Sequence, residues 1–299
     1  MKQWEDKVSK YLERYRDDEL AMAEANRDMV LRVVSGMGPD KPTVDESSGA
    51  RAVVNISAVH IPSFCKPRPG EKPYKNTYDL QKEPVLGDRQ PINVSSSRKA
   101  VDGVIQGGLH KQPADLYFAA VEINGTGVRF YGDMCLVLKR AAVAADTPVL
   151  TTNSYDLIRP PITPAGAAPD IPALTLLIDQ MAGEWQANTG HLAALKSFDI
   201  LQHTARRLTT GQISDAILED EDYLEVLKAG TFGANDLQEA RVSAADTAAE
   251  IQIGERTRLG PCPSLAEIQW RKQRLAAQRS LAASGVTVRV ITTSGRTRS

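Results

Sequence analysis

The chain has 299 residues, 42% of them hydrophobic, with 36 Lys and Arg against 37 Asp and Glu and a formal net charge of −1. That length and apolar content exclude a small stapled scaffold, and the balanced charge excludes a surface built throughout for nucleic acid, leaving room for a local basic patch alone. Cys65, Cys135 and Cys262 are an odd set at wide separations, which fits a reducing compartment; with a charged N-terminus and no apolar run of ~18 residues, the expectation is a cytoplasmic protein with no membrane partner.

Residues 1–38 form the first segment, where Trp4, Val8, Tyr11, Leu12 and Tyr15, then Met22, Met29, Val30, Val33 and Val34, recur at helical spacing before Gly36, Gly38 and Pro39. A β-rich core is expected over 50–160, opening with RAVVNISAVHI at 51–61. Between Pro62 and Pro91 runs a proline-rich loop holding Lys66, Arg68, Lys72 and Lys75 among Phe64, Tyr74 and Tyr78. Loops of that length are either functional or disordered, and basic residues interleaved with aromatics suit a phosphate-bearing ligand or single-stranded nucleic acid. INV at 92–94 reads as a short strand, and Ser95-Ser96-Ser97 as the N-cap of a helix with Val101, Val104 and Ile105 on one face.

Tyr117–Ile123 and Val128–Leu138 read as two strands of a hairpin joined by an Asn124-Gly125 turn of positive φ. Glu122, Arg129 and Asp133 sit in this otherwise apolar stretch, where a charge must be paired, solvated or used. TPVLTTN at 147–153 adds a further strand. A Pro/Ala linker covers 161–171, and from 172 to 283 the pattern is helical: Leu174, Leu177, Ile178 and Met181; Leu195, Phe198, Leu201, Ala205 and Leu208; then Ile213, Ile217, Leu224 and Leu227. The exposed side of this last helix, 213–227, carries Asp215, Glu219 to Asp222 and Glu225, a surface suited to a basic protein partner. An alanine-rich helix follows at 234–250, and Ser264 to Glu267 is a capping box opening a helix with Arg271, Lys272, Arg274 and Arg279. VTVRVITT at 286–293 alternates as a strand returning to the sheet. The expected class is α+β: a mixed, mainly antiparallel sheet with an N-terminal helix and a helical C-terminal region.

His60, His110, His191 and His203 are scattered, with no HExxH and no CxxC pair, so no metal site is expected. The chain has no GxxxxGK[ST], no GxGxxG and no GxSxG.

What remains is Arg51 at the start of the first strand, the Ser95–Ser97 run and the strand-borne Glu122. Their Arg-Ser-Glu order resembles that of mono-ADP-ribosyltransferases, the fold of many bacterial toxins, and FYGDMCLVLK at 130–139 with TPVLTTNSYDL at 147–157 extends the likeness over residues 51–157. The resemblance implies NAD as co-substrate, Arg51 on its phosphates, Ser95 and Ser96 shaping the nicotinamide pocket, and Glu122 stabilising the developing oxocarbenium ion, as in a toxin or defence factor. Ala120 stands where that family has Glu or Gln, which directs transfer to a nucleic-acid base or small molecule. Lys66, Arg68, Tyr74 and Lys75 would then contact the acceptor.

Two other readings stay open on the residues themselves. Glu122, Asp133 and Lys139 on neighbouring strands would suit an Mg²⁺-dependent nuclease. Alternatively, Glu122 pairs with Arg129 across the turn, a cross-strand pair contributing only ~0.2–1 kcal/mol, in a non-catalytic binding or assembly protein.

Overall fold

The computed structural model describes residues 17–35, 49–83, 92–201, 204, 206–218, 223–260 and 262–292. In chain order the strands are β1 (Arg51–Ile56), β2 (Leu116–Glu122), β3 (Met134–Leu138), β4 (Pro148–Leu150), β5 (Ala182–Glu184), β6 (Glu225–Ala229), β7 (Leu237–Ser243) and β8 (Val288–Ile291). The helices are α1 (Asp17–Ser35), α2 (Ile61–Cys65), α3 (Thr77–Gln81), α4 (Ser96–Leu109), α5 (Ile171–Met181), α6 (Trp185–Leu201), α7 (Thr210–Ile217), α8 (Ala244–Leu259) and α9 (Leu265–Ala283). The strands make one eight-stranded sheet of order β5-β4-β6-β2-β1-β3-β7-β8, antiparallel throughout except for β7 and β8. The class is α+β, mixed and mainly antiparallel, with an N-terminal helix and a helical C-terminal region. Among the described residues no helix is long and apolar enough to cross a membrane.

Strand β1 is buried along nearly its whole length, because both faces of the sheet are covered and side chains alternate between them. Val54, Ala119, Leu136 and Val226 face a core completed by Val30 of α1, Phe198 of α6 and Leu281 of α9. On the other face, Leu116 and Leu227 pack against Val101, Val104 and Ile105 of α4 and Leu174 and Ile178 of α5. Those two helices approach closely: a Cβ on Gly108 would lie 2.4 Å from Ile178 Cγ2. Further along that second face, Val53, Ala120, Cys135 and Val137 pack against Val128, Leu218 and Tyr223. There the face opens into a cleft.

The expected hairpin is replaced by a wider connection. Strands β2 and β3 do not pair with each other; β1 lies between them, with Arg51 opposite Glu122 and Val53 opposite both Ala120 and Val137. Neither Asn124 nor Gly125 has positive φ; that conformation falls on Gly127 at 65°. The buried β1 satisfies the edges of both strands at once, and residues 123–133 must cross over it. The Asn55 amide holds the crossing, donating to the Thr126 carbonyl at 2.9 Å and the Gly132 carbonyl at 3.0 Å. Gly132 is required there, since a Cβ would sit 2.1 Å from the Ile56 carbonyl carbon.

Other expectations also change. Residues 92–94 are not a strand. The helix expected over 213–227 stops at Ile217, and Glu225–Ala229 is β6, buried between β4 and β2. Glu219 to Asp222 lie outside the described residues, as do residues 1–16 and 36–38 of the N-terminal segment. Of the acids expected on one helical face, Asp215 lies on α7 and Glu225 in β6. The alanine-rich helix of 234–250 is a 3₁₀ turn (Ala234–Asp236), then β7, then α8, which Ser243 caps. Burial on both faces overrides the helical spacing in these segments. Arg274 of the basic α9 is fully buried, bonded to Asp133 at 2.8 Å, to Glu250, and 3.5 Å from Asp246. The Ser264 capping box and the return of the C-terminal strand are as expected.

Asn55→Ala removes both bonds and leaves two carbonyls of the crossing without their donor. We expect a loss of roughly 2 kcal/mol of unfolding free energy, read from urea denaturation followed by circular dichroism. An unchanged midpoint would show that the crossing is held elsewhere.

Candidate active-site cleft

The cleft has a volume of about 810 Å³, within the range of ordinary small-molecule sites. Its floor is the sheet: Val53 and Asn55 of β1, Phe118 and Ala120 of β2, and Glu225 of β6. Tyr131 on the β2–β3 connection and Tyr223, just before β6, border the same space.

One wall is the segment 71–78, held by local chemistry. Asn76 caps α3 by accepting from Asp79 N at 2.9 Å, and its amide donates to the Ala114 and Leu116 carbonyls at 2.8 and 3.0 Å. Asp79 also accepts from Lys72 at 2.7 Å and from the Tyr117 hydroxyl at 2.7 Å. Tyr74 stacks on Phe232 with ring centroids 4.6 Å apart. Two lysines of this segment have carboxylate partners within it: Lys72 pairs with Asp79, and Lys75 with Glu71 and Glu83.

Beside it, Arg98 of α4 also borders the cleft. Ser95 caps that helix, accepting from Arg98 N at 3.1 Å, and so sets Arg98 in the first turn. The Arg98 guanidinium lies 3.9 Å from the centre of the Phe118 ring and 5.8 Å from that of Tyr155. It pairs with Asp102, which also accepts from the Tyr78 hydroxyl. Burial, then that bond to Asp102, push the Tyr78 phenol up to about 12. The result is a positive charge among aromatic rings, with a carboxylate behind it.

Glu225 is the buried acid of the cleft floor. It is 2% exposed, and its Oε2 accepts from Ser154 N at 3.0 Å. Burial raises its pKa above the carboxylate range; the bonds to Ser154 and the charge of Arg98 oppose that shift, and the charge of Asp156 adds to it. The phenol of Tyr223 is also pushed far up, by burial first and then by Glu225, and its oxygen lies 3.3 Å from that of Tyr131. A carboxyl that favours its neutral form, in an aromatic cleft, can donate a proton.

The residues singled out from the sequence are placed otherwise. Arg51 and Glu122 do come together as cross-strand neighbours, but neither borders the cleft. Glu122 is 0% exposed; its carboxylate accepts from Ile123 N at 2.7 Å, Gly127 N at 3.3 Å and Ser214 Oγ at 2.5 Å. Its own turn and Ser214 enclose the Glu122 carboxylate, away from the cleft. Arg51, 1% exposed, donates to Gln238 at 3.2 Å and to the Ala50 carbonyl at 3.3 Å, and is not presented to a cofactor phosphate. Ser95 and Ser96 are exposed at the start of α4, so the serine run is a cap. Lys66 and Arg68 are exposed and lie outside the cleft lining, whereas Tyr74 and Lys75 belong to it.

The nuclease trio is not assembled either. Asp133 accepts from Ala58 N and from Arg274, both at 2.8 Å, while Lys139 donates to the Asn235 carbonyl on the surface. Arg129 pairs with Asp246 at 2.7 Å, which removes it from Glu122. Sequence reasoning missed Glu225 and Arg98. Glu225 was hidden inside a run of acids, although Tyr223, Leu224, Val226 and Leu227 around it carry a strand signature.

Glu225→Gln tests the buried charge. The raised folded-state pKa means that stability is present at acid pH and is lost as pH rises from about 4.5. The variant is expected to melt above the parent at pH 7, with the difference closing as pH falls to 4.5. A difference that widens at acid pH would reverse the sign assigned to Glu225.

Comparison with protein-family models, with curated proteins and with solved structures finds no match.

Proposed function

We propose that the protein is an enzyme that binds a nucleoside-type ligand in the aromatic cleft and uses Glu225 as general acid at its glycosidic bond. The observation that carries this reading is the buried carboxyl of Glu225 on the floor of a cleft walled by Phe118, Tyr155, Tyr131 and Tyr223. Aromatic walls favour a planar base by stacking and dispersion, and Arg98 against Phe118 supplies the cationic edge. As the bond from the anomeric carbon to the base nitrogen breaks, the neutral carboxyl gives its proton to the departing nitrogen. Water or an acceptor hydroxyl adds to the sugar carbon, and the proton it releases restores the carboxyl.

This assignment moves the acid from Glu122 to Glu225 and changes its charge state. NAD-dependent transfer expels a neutral nicotinamide and needs an anion beside the developing cation, while a purine or pyrimidine leaves more easily when protonated. A carboxyl whose neutral form burial favours suits the second case.

The test is release of free base from a panel of nucleosides and nucleoside monophosphates, followed by chromatography. Glu225→Gln is expected to lower the rate by about 10²-fold or more, and the parent rate should fall as pH rises through the elevated pKa of Glu225. Glu122→Gln should retain base release. A parallel arm supplies labelled NAD and cell extract: nicotinamide release that survives Glu225→Gln but is lost in Glu122→Gln would return the assignment to NAD-dependent ADP-ribosyl transfer. No base release and no ligand binding across the panel would sink the proposal.

A further inference from the structure

The backbone donor on Glu225 comes from a turn whose two central residues do not border the cleft. Leu150 of β4 lies opposite Glu225 of β6, and the chain turns directly after β4, bringing Ser154 N to Oε2 at 3.0 Å. Asn153 and Ser154 are 4% and 1% exposed and do not line the cleft, whereas the next residue, Tyr155, does.

The turn is closed by its own polar groups. Asn153 caps a 3₁₀ helix (Ser154–Ile158), its Oδ1 accepting from Tyr155 N at 3.0 Å, and its carbonyl accepts from Asp156 N at 2.9 Å. Thr152 Oγ1 donates to Asp156 at 2.6 Å. Asn suits this position because its short side chain reaches the amide two residues on. The Ser154 N–H lies between the two residues that this bond joins, so its direction is set with them.

That N–H decides which oxygen can act. An N–H only donates, and the carbonyl oxygen of a neutral carboxyl is the better acceptor, so the proton of the acid belongs on Oε1. When the proton leaves, the Oε1–H bond breaks, the N–H bond of the departing base forms, and the electron pair stays on the carboxyl. The bond at Oε2 then becomes charge-assisted, roughly twice as strong as before. Stabilisation that grows during the reaction lowers the barrier. Arg98 of α4, Asp156 of the turn and Tyr223 also interact electrostatically with Glu225, and none of them supplies this donor.

We propose that Asn153 is the positioning residue of the general acid: by holding the turn it keeps the Ser154 N–H on Oε2, so that Glu225 releases its proton from Oε1 and leaves the charge on a donor already in place. This rests on the reading of Glu225 as general acid. Asn153 acts through the backbone of its neighbour and not on the ligand.

Base release measured across pH for Asn153→Ala, Asn153→Gly and Asn153→Ser tests this, with circular dichroism as the check on folding. Ala and Gly lack the acceptor for Tyr155 N, and Gly is well tolerated at a helix cap. Both are expected to lower kcat about tenfold at unchanged KM, and to move the fall in rate to higher pH, because losing a donor to the ionised carboxyl raises its pKa. Ser keeps an acceptor of the same kind and should restore both. A purely structural loss would lower activity without moving the pH limb. An unmoved limb, or a Ser variant no better than Ala, overturns the positioning role while leaving the cleft assignment standing. A parent without base release overturns the two together.

Discussion

The crossing of residues 123–133 over β1 is the constraint from which the site follows. Two central strands, β2 and β3, flank β1 instead of each other, so the chain between them has to pass across one face of the sheet. Backbone polar groups in such a crossing need partners. Asn55, Glu122 and Arg241 provide them: Asn55 donates to Thr126 and Gly132, Glu122 accepts from Ile123 and Gly127, and Arg241 donates to the Ile123 and Gly125 carbonyls at 3.0 and 3.1 Å. With those bonds made, Val128 and Tyr131 come to border the cleft. The position of one boundary of the site is thus set by Asn55 on its floor and by Glu122 and Arg241, which do not border it.

Two glutamates on this sheet show how access, more than residue type, separates structure from chemistry. Glu122 and Glu225 are both buried, and burial raises the pKa of each. Glu122 is surrounded by two backbone amides, a serine hydroxyl and the nearby charge of Arg241. Glu225 takes its donors from Ser154 and borders open space. A buried acid fully engaged by donors works as a fastening. One that keeps a boundary with a cavity can exchange a proton with a ligand. The ion network around Arg274 has the first character, joining α8 and α9 to the start of β3. Its removal would take the guanidinium away from the buried Glu250, the costly case for an ion in an interior.

Several elements were legible without coordinates. Apolar runs rich in Val, Ile, Tyr and Phe identified β1 and β2, alternation identified β8, and turn chemistry identified the caps at Ser95 and Ser264. The failures were of other kinds. An Asn-Gly pair between two apolar runs suggested a hairpin, but pairing is decided by which strand best buries its faces, and β1 displaced the local partner. Strands β6 and β7 were read as helix because short apolar runs fit both periods, and the acids next to Glu225 favoured the exposed interpretation.

By itself, then, the sequence determined what is local: which runs are apolar enough to be strands, where helices start, and that a carboxylate in an apolar strand needs an explanation. Only the tertiary structure decided which carboxylate faces a cavity. That depends on contacts between residues far apart in the chain, such as Ser154 with Glu225 and Arg98 with Phe118. Periodicity reports the face a side chain takes along its own strand, and it carries no information on what the rest of the chain lays across that face.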